Sequence, residues 1–231
     1  MDRVITRPGP ASVKFNLTHP THTIITLPSG SIWSSGLHFH ATHDEYLVVQ
    51  RGSVRVRRDS EVQTVTVRPS DAPVEVAYPA RDSNLSLDGE DVVVVERTDP
   101  ADGEKPVFFW NLNGVILQQR PWWWPMEGLW AWWILLQLFV IFVELDNVPV
   151  MLDVKGWLVR ARLYGALSQL MGETSVNRCA KRADERWSLL VLRAVHWVGR
   201  MLGVRAVRRE FMPKDAYERW KVEREGGRKR L

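Results

Sequence analysis

Between residues 12 and 98 the chain is a succession of short segments rich in Val, Ile and Thr, each closed by turn residues. This pattern leaves no stretch long enough for a helix. The segments read as strands over 13–17, 23–27, 31–40, 45–50, 53–57, 62–67, 74–78, 84–87 and 92–96. Pro28-Ser29-Gly30, Arg51-Gly52, Pro69-Ser70-Asp71 and Asp88-Gly89 supply the breaks. Many short antiparallel strands in so little chain predict a mainly β domain, a small barrel or jelly roll, over residues 10–100. After Pro100-Ala101-Asp102-Gly103 the pattern turns to Trp, Leu and Arg at helical spacing, so a helical region is expected over 104–231.

The β region carries one cluster with chemistry in it. Gly36-Leu37-His38-Phe39-His40-Ala41-Thr42-His43-Asp44-Glu45 puts two histidines two residues apart and a glutamate five further on. On a strand His38 and His40 point to the same side. Glu45 follows a short polar turn, and a hairpin folding back there would bring its carboxylate to the two imidazoles. Two His and one carboxylate are the ligand set of non-haem iron sites and also suit zinc, manganese or nickel.

The run resembles the first motif of the cupin superfamily, a glycine-framed H-x-H followed by a glutamate, with Gly36, His38, His40, Glu45 and Gly52 at the matching places. The leading glycine stands closer to the first histidine than in that motif. The second cupin motif, P-x-G-x-x-H, has its counterpart in Pro79-Ala80-Arg81-Asp82-Ser83-Asn84, without the glycine and with Asn84 where the third histidine would stand. The resemblance implies a divalent transition metal (Fe, Mn, Zn or Ni) on His38, His40, Glu45 and Asn84. An amide oxygen is a weaker ligand than an imidazole. His43, in the turn, is the candidate proton shuttle, and Arg81 and Asp82 would stand near the barrel mouth.

The C-terminal part is expected to meet lipid. Residues 128–143 are uncharged, fenced by Glu127 and Glu144 and preceded by Trp122-Trp123-Trp124. As a helix they would reach roughly 24 Å, short of the roughly 30 Å of a bilayer's hydrocarbon core. Aromatic rings crowd such a helix end at a membrane interface. Amphipathic helices are predicted over 156–171 and 187–203, the latter with Arg186, Arg193 and Arg200 in a stripe. Residues 151–231 carry 19 Lys+Arg against 9 Asp+Glu, a balance of +10, so the first 150 residues hold −6 of the chain's +4. Basic character confined to one third points to anionic surfaces. Its interleaving with Trp and Leu favours lipid over nucleic acid.

A single cysteine, Cys179, excludes an internal disulfide, and the polar first ten residues lack a signal-peptide apolar region. An intracellular, membrane-associated protein is therefore expected. No phosphate-binding glycine loop, G-x-S-x-G elbow, C-x-x-C pair or dinucleotide fingerprint occurs. Cupins of this size imply a small-molecule enzyme, an oxidoreductase or isomerase acting on an apolar biosynthetic intermediate. The alternative is a metal-free ligand-binding or membrane scaffold protein. A homodimer is compatible with either.

Overall fold

The computed structural model describes residues 2–58, 61–78, 90–124 and 126–228. Its strands are β1 (Val4–Arg7), β2 (Val13–Asn16), β3 (His22–Leu27), β4 (His38–Phe39), β5 (Asp44–Arg58), β6 (Glu61–Val67), β7 (Val74–Tyr78) and β8 (Val92–Asp99). An antiparallel sheet runs in the order β1-β2-β3-β8-β5-β6, with β7 also paired to β5. Alternation decides its faces: Val13 and Phe15 are buried while Lys14 is exposed, and Thr23, Ile25 and Leu27 alternate with half-buried neighbours.

The sequence pattern reads Arg51-Gly52 as a turn between two strands, whereas β5 runs through it unbroken. The pairing with β8 slips between Val49 and Arg51, and Gly52 takes φ 84°. The inward face accordingly moves from Glu45, Leu47 and Val49 to Val54 and Val56. A bulge inserts one residue, and this shift of phase is its effect. Any side chain at Gly52 would strike Val92 on the neighbouring strand. β1 was hidden in a polar N-terminal stretch, and of 31–40 only β4 forms a ladder.

Six α-helices follow among the described residues: α1 (Glu104–Ile116), α2 (Glu127–Glu144), α3 (Val154–Arg160), α4 (Tyr164–Met171), α5 (Glu173–Met201) and α6 (Lys214–Arg228). A short strand, β9 (Val148–Pro149), lies between α2 and α3 and pairs with β4. α1 covers the inward face of the sheet. Phe108, Phe109 and Trp110 join Phe15, Ile25, Leu47 and Val94 in one apolar core, to which α2 adds Val140 and Ile141. A fully buried side chain of this size contributes roughly 1.5–3 kcal/mol. The cap over the sheet is therefore part of what holds it together.

The stretch expected as a single helix over 156–171 is two, because α3 ends at Arg160, with Ala161 as its C-cap, and Arg162 takes φ 59°. Arg162 N donates to Val159 O and Leu163 N to Leu158 O, the double bond of a Schellman cap. Glycine usually signals that cap, and here an arginine fills it. In the other direction, the helix expected over 187–203 starts fourteen residues earlier, since the charged stretch from Glu173 onward continues the same helix.

α2 matches the apolar segment and is the one helix among the described residues long and apolar enough to cross a membrane. It packs on α1 and α5, yet only Gln137, Val140 and Ile141 are buried. Trp132 is 70% exposed and Trp122 93% exposed.

Candidate metal centre

Glu45 opens the inward row of β5, and Glu96 stands on the inward row of β8, diagonally across the ladder where Glu45 faces Thr98. β4 presents His38, and His40 follows it directly. Their ring centroids lie 5.2 Å apart, nearly perpendicular. Nε2 of His38 is 3.1 Å and Nε2 of His40 3.2 Å from the same oxygen, Oε2 of Glu45. One ligand atom from each of the three residues lies within 4.8 Å of the others. His38 and Glu45 are both under 10% exposed. The structure thus brings together His38, His40 and Glu45; Asn84, Arg81 and Asp82 lie outside the described residues.

Both imidazoles are fixed from behind. Nδ1 of His38 faces the carbonyl of Gly36 at 3.0 Å, and Nδ1 of His40 faces the carbonyl of Asp146. A carbonyl accepts only, so each Nδ1 carries the proton and each Nε2 offers a lone pair toward Glu45. A carboxylate oxygen also accepts only. Without a cation between them, the Nε2 atoms meet Oε2 as acceptor against acceptor unless a second proton is added to a ring. Burial works against charging His38, but the hydrogen bond and charge of Glu45 outweigh it and raise its pKa. For His40 burial wins and its pKa is lowered, so one ring takes the proton more readily than the other. A divalent ion replaces two protons with one centre, so this donor set fits a transition metal.

Of the residues that sequence reasoning missed here, two anchor the site. Lys105, on the first turn of α1, is 4% exposed and reaches Oε1 of Glu45 and, at 3.3 Å, Oε2 of Glu96. Burial disfavours its charge, but the two carboxylates more than restore it and raise its pKa. Burial pushes Glu45 up, yet Lys105 and the histidines hold it well below the usual carboxylate range. Burial dominates at Glu96, whose pKa rises. Lys105 thus fixes one Glu45 oxygen and leaves the other to the histidines.

Asp146 is the second. It closes α2 with φ 46°, and Asn147 N donates to Phe142 O beneath it. Its carboxylate accepts from the N–H groups of Ala41 and Thr42 at 2.7 and 2.8 Å, and from the Thr42 hydroxyl. His43 sits between Asp146 and Asp102, 2.9 Å from each. Burial lowers the pKa of His43, but these two carboxylates overcome it and raise it. The His43 ring holds its protons in this clamp and lines a small cavity with His40, Glu104 and Lys105.

No protein-family model matches the chain, and no curated protein matches it. Among solved structures, it is similar to the capsular polysaccharide assembling protein CapF from Staphylococcus aureus at 18% identity and TM-score 0.32. That likeness covers 42% of this chain and 29% of CapF, so the chain spans less than a third of that protein. KdgF from Halomonas sp. matches at 14% identity over 41% of this chain and 84% of its own, with TM-score 0.31. The Cupin_2 domain of an XRE family transcriptional regulator from Enterobacter cloacae matches at 19% identity over 42% and 96%, with TM-score 0.27. Each of these likenesses covers about two fifths of this chain, which contains the antiparallel sheet and the glycine-framed His38, His40 and Glu45.

Proposed function

We propose that this protein is a cupin-type enzyme with a jelly-roll β domain, in which His38, His40 and Glu45 hold one divalent transition metal, and that it performs oxidoreductase or isomerase chemistry on a small, largely apolar molecule. The observation that carries the reading is the convergence of Nε2 of His38 and Nε2 of His40 on one oxygen of Glu45, with a backbone carbonyl fixing each ring from behind. When bound, such an ion supplies Lewis-acid or redox chemistry at its open positions. The chain's own groups do the rest. Lys105 orients Glu45 and ties it to Glu96 through the same ammonium. His43 keeps a proton at the wall of the cavity it shares with His40. Asn84 remains the proposed fourth ligand.

Lys105 also favours a second reading, a metal-free binding pocket, because its ammonium already neutralises Glu45. Metal analysis of full-length protein purified without chelator separates the two. The metal reading expects about one transition-metal ion per chain, lost in Glu45→Ala. Protein that stays metal-free after incubation with excess Fe, Mn, Zn and Ni would leave the pocket reading standing. The helical part, with the open face of α2 and the arginine stripe of α5, we assign to seating the protein on an anionic membrane inside the cell.

A further inference from the structure

A cavity of about 230 Å³ opens beside His38, between the sheet and helices α1 and α2. Its wall is mostly apolar, with Trp33, Phe108, Phe109, Leu138 and Phe142, while His38 and Glu96 face it from the metal-centre side. Two polar side chains on this wall each carry one buried atom that finds no partner among the described residues. Arg7, at the end of β1, donates from Nε to Asn113 and lies 5.2 Å from the centre of the Phe15 ring, but its buried Nη2 meets no acceptor. Ser35 Oγ is likewise buried without a partner on the same wall. No carboxylate pairs with Arg7 among the described residues, and burial brings its pKa down to about 10.

A guanidinium with one edge buried and no anion beside it is unfavourably placed, since burying an unpaired charge carries a desolvation penalty. An arginine is the side chain that pairs best with a carboxylate, through parallel N–H bonds. We propose that this cavity binds a monocarboxylate with an apolar body, its carboxylate on Arg7 and Ser35 and its apolar body among Phe108, Phe109, Leu138 and Phe142, with the far end presented to His38 and Glu96. The volume holds on the order of ten non-hydrogen atoms at ordinary interior packing, which suits an arylpropenoate or a medium-chain fatty acid. This names the substrate class of the proposed metal centre and rests on reading that centre as the reactive one.

The test is calorimetric titration of full-length, chelator-treated protein with trans-cinnamate and with its neutral twin cinnamamide, which removes direct ligation of a metal from the comparison. Cinnamate should bind about ten-fold or more tightly than the amide, in line with a charge-assisted pair. Arg7→Gln should abolish the preference, and Ser35→Ala should reduce it. Equal affinity for acid and amide in the wild type, or no binding of either, overturns the proposal whatever the variants do. Retention of the preference in Arg7→Gln overturns it too. A parallel metal titration separates the two readings. Acid preference in a protein that takes up no metal keeps this inference and sinks the metal centre; metal uptake without acid preference does the reverse.

Discussion

Helices α1 and α2 lie side by side, and the less apolar of them is the more deeply buried. α1 carries Lys105, Asn111 and Asn113, all buried, while α2, almost wholly Leu, Ile, Val, Phe and Trp, leaves Trp132, Leu129 and Leu135 open to the surroundings. The polar groups of α1 are each answered: Lys105 by Glu45 and Glu96, Asn111 by the carbonyl of Val107, and Asn113 by that of Phe109. Burial follows from what the neighbours offer as much as from how oily a helix is. A large apolar face without neighbours among the described residues is of the kind that marks interaction surfaces in other proteins.

The largest effect that tests this contrast is expected at Lys105. Lys105→Met leaves Glu45 and Glu96 buried without their cation, and metal-free protein should lose about 3–5 kcal/mol in denaturant unfolding. A loss below about 1 kcal/mol would mean that α1 is held by its aromatic rings alone.

A middle-sized effect is expected at the clamp that ties the end of α2 to the sheet. The His43 pKa is raised above its ordinary 6.5, so its contribution is complete below that value and fades as pH rises through the higher folded value. Asp146 is lowered from 3.8, by the His43 hydrogen bond and those of Ala41 and Thr42 acting against burial. Its contribution is therefore present above 3.8 and fades as pH falls through the lower folded value. Melting temperature should drop between mildly acidic and alkaline pH. His43→Gln should flatten that slope without removing it, since His38 is raised as well. An unchanged slope would remove His43 from the account.

The smallest effect on stability is expected on the open face of α2. Trp132→Ser should change stability by no more than about 0.5 kcal/mol, as exposed sites do. It should nonetheless weaken co-sedimentation with anionic vesicles, because an interfacial indole is lost. A variant that melts early, or that binds vesicles as the wild type does, would argue that this face has another partner.

The sequence shows the strands by alternation and the centre by spacing, because both are local. His38, His40 and Glu45 lie within eight residues, so one turn between two neighbouring strands is enough to suggest their convergence. Lys105 could not be read the same way. Glu104-Lys105-Pro106 looks like any exposed helix start, and only the packing of α1 across the sheet sends that ammonium inward. Asp146 lies 106 residues from His40, and β4 and β9 are two residues each, too short to carry a period. The bulge at Gly52 imitates a turn because glycine serves both. The opened arginine pocket was invisible for a related reason: Arg7 sits on a strand that four ordinary residues did not announce.

The pairing of β4 with β9 has a consequence in time. The strand that presents His38 finds its ladder partner only at Val148–Pro149, and His40 is fixed by the carbonyl of Asp146. As the chain emerges from a ribosome, residues 4–99 can form their sheet while the histidine segment still has nothing to pair with. The centre is completed only after α2 has been made and has folded back. Contacts so distant along the chain close late, after the local ones have paid for part of the lost chain entropy. A nascent chain stalled before residue 146 would therefore carry the sheet strands while His38 and His40 still lack the ladder partner and the carbonyl that hold them beside Glu45.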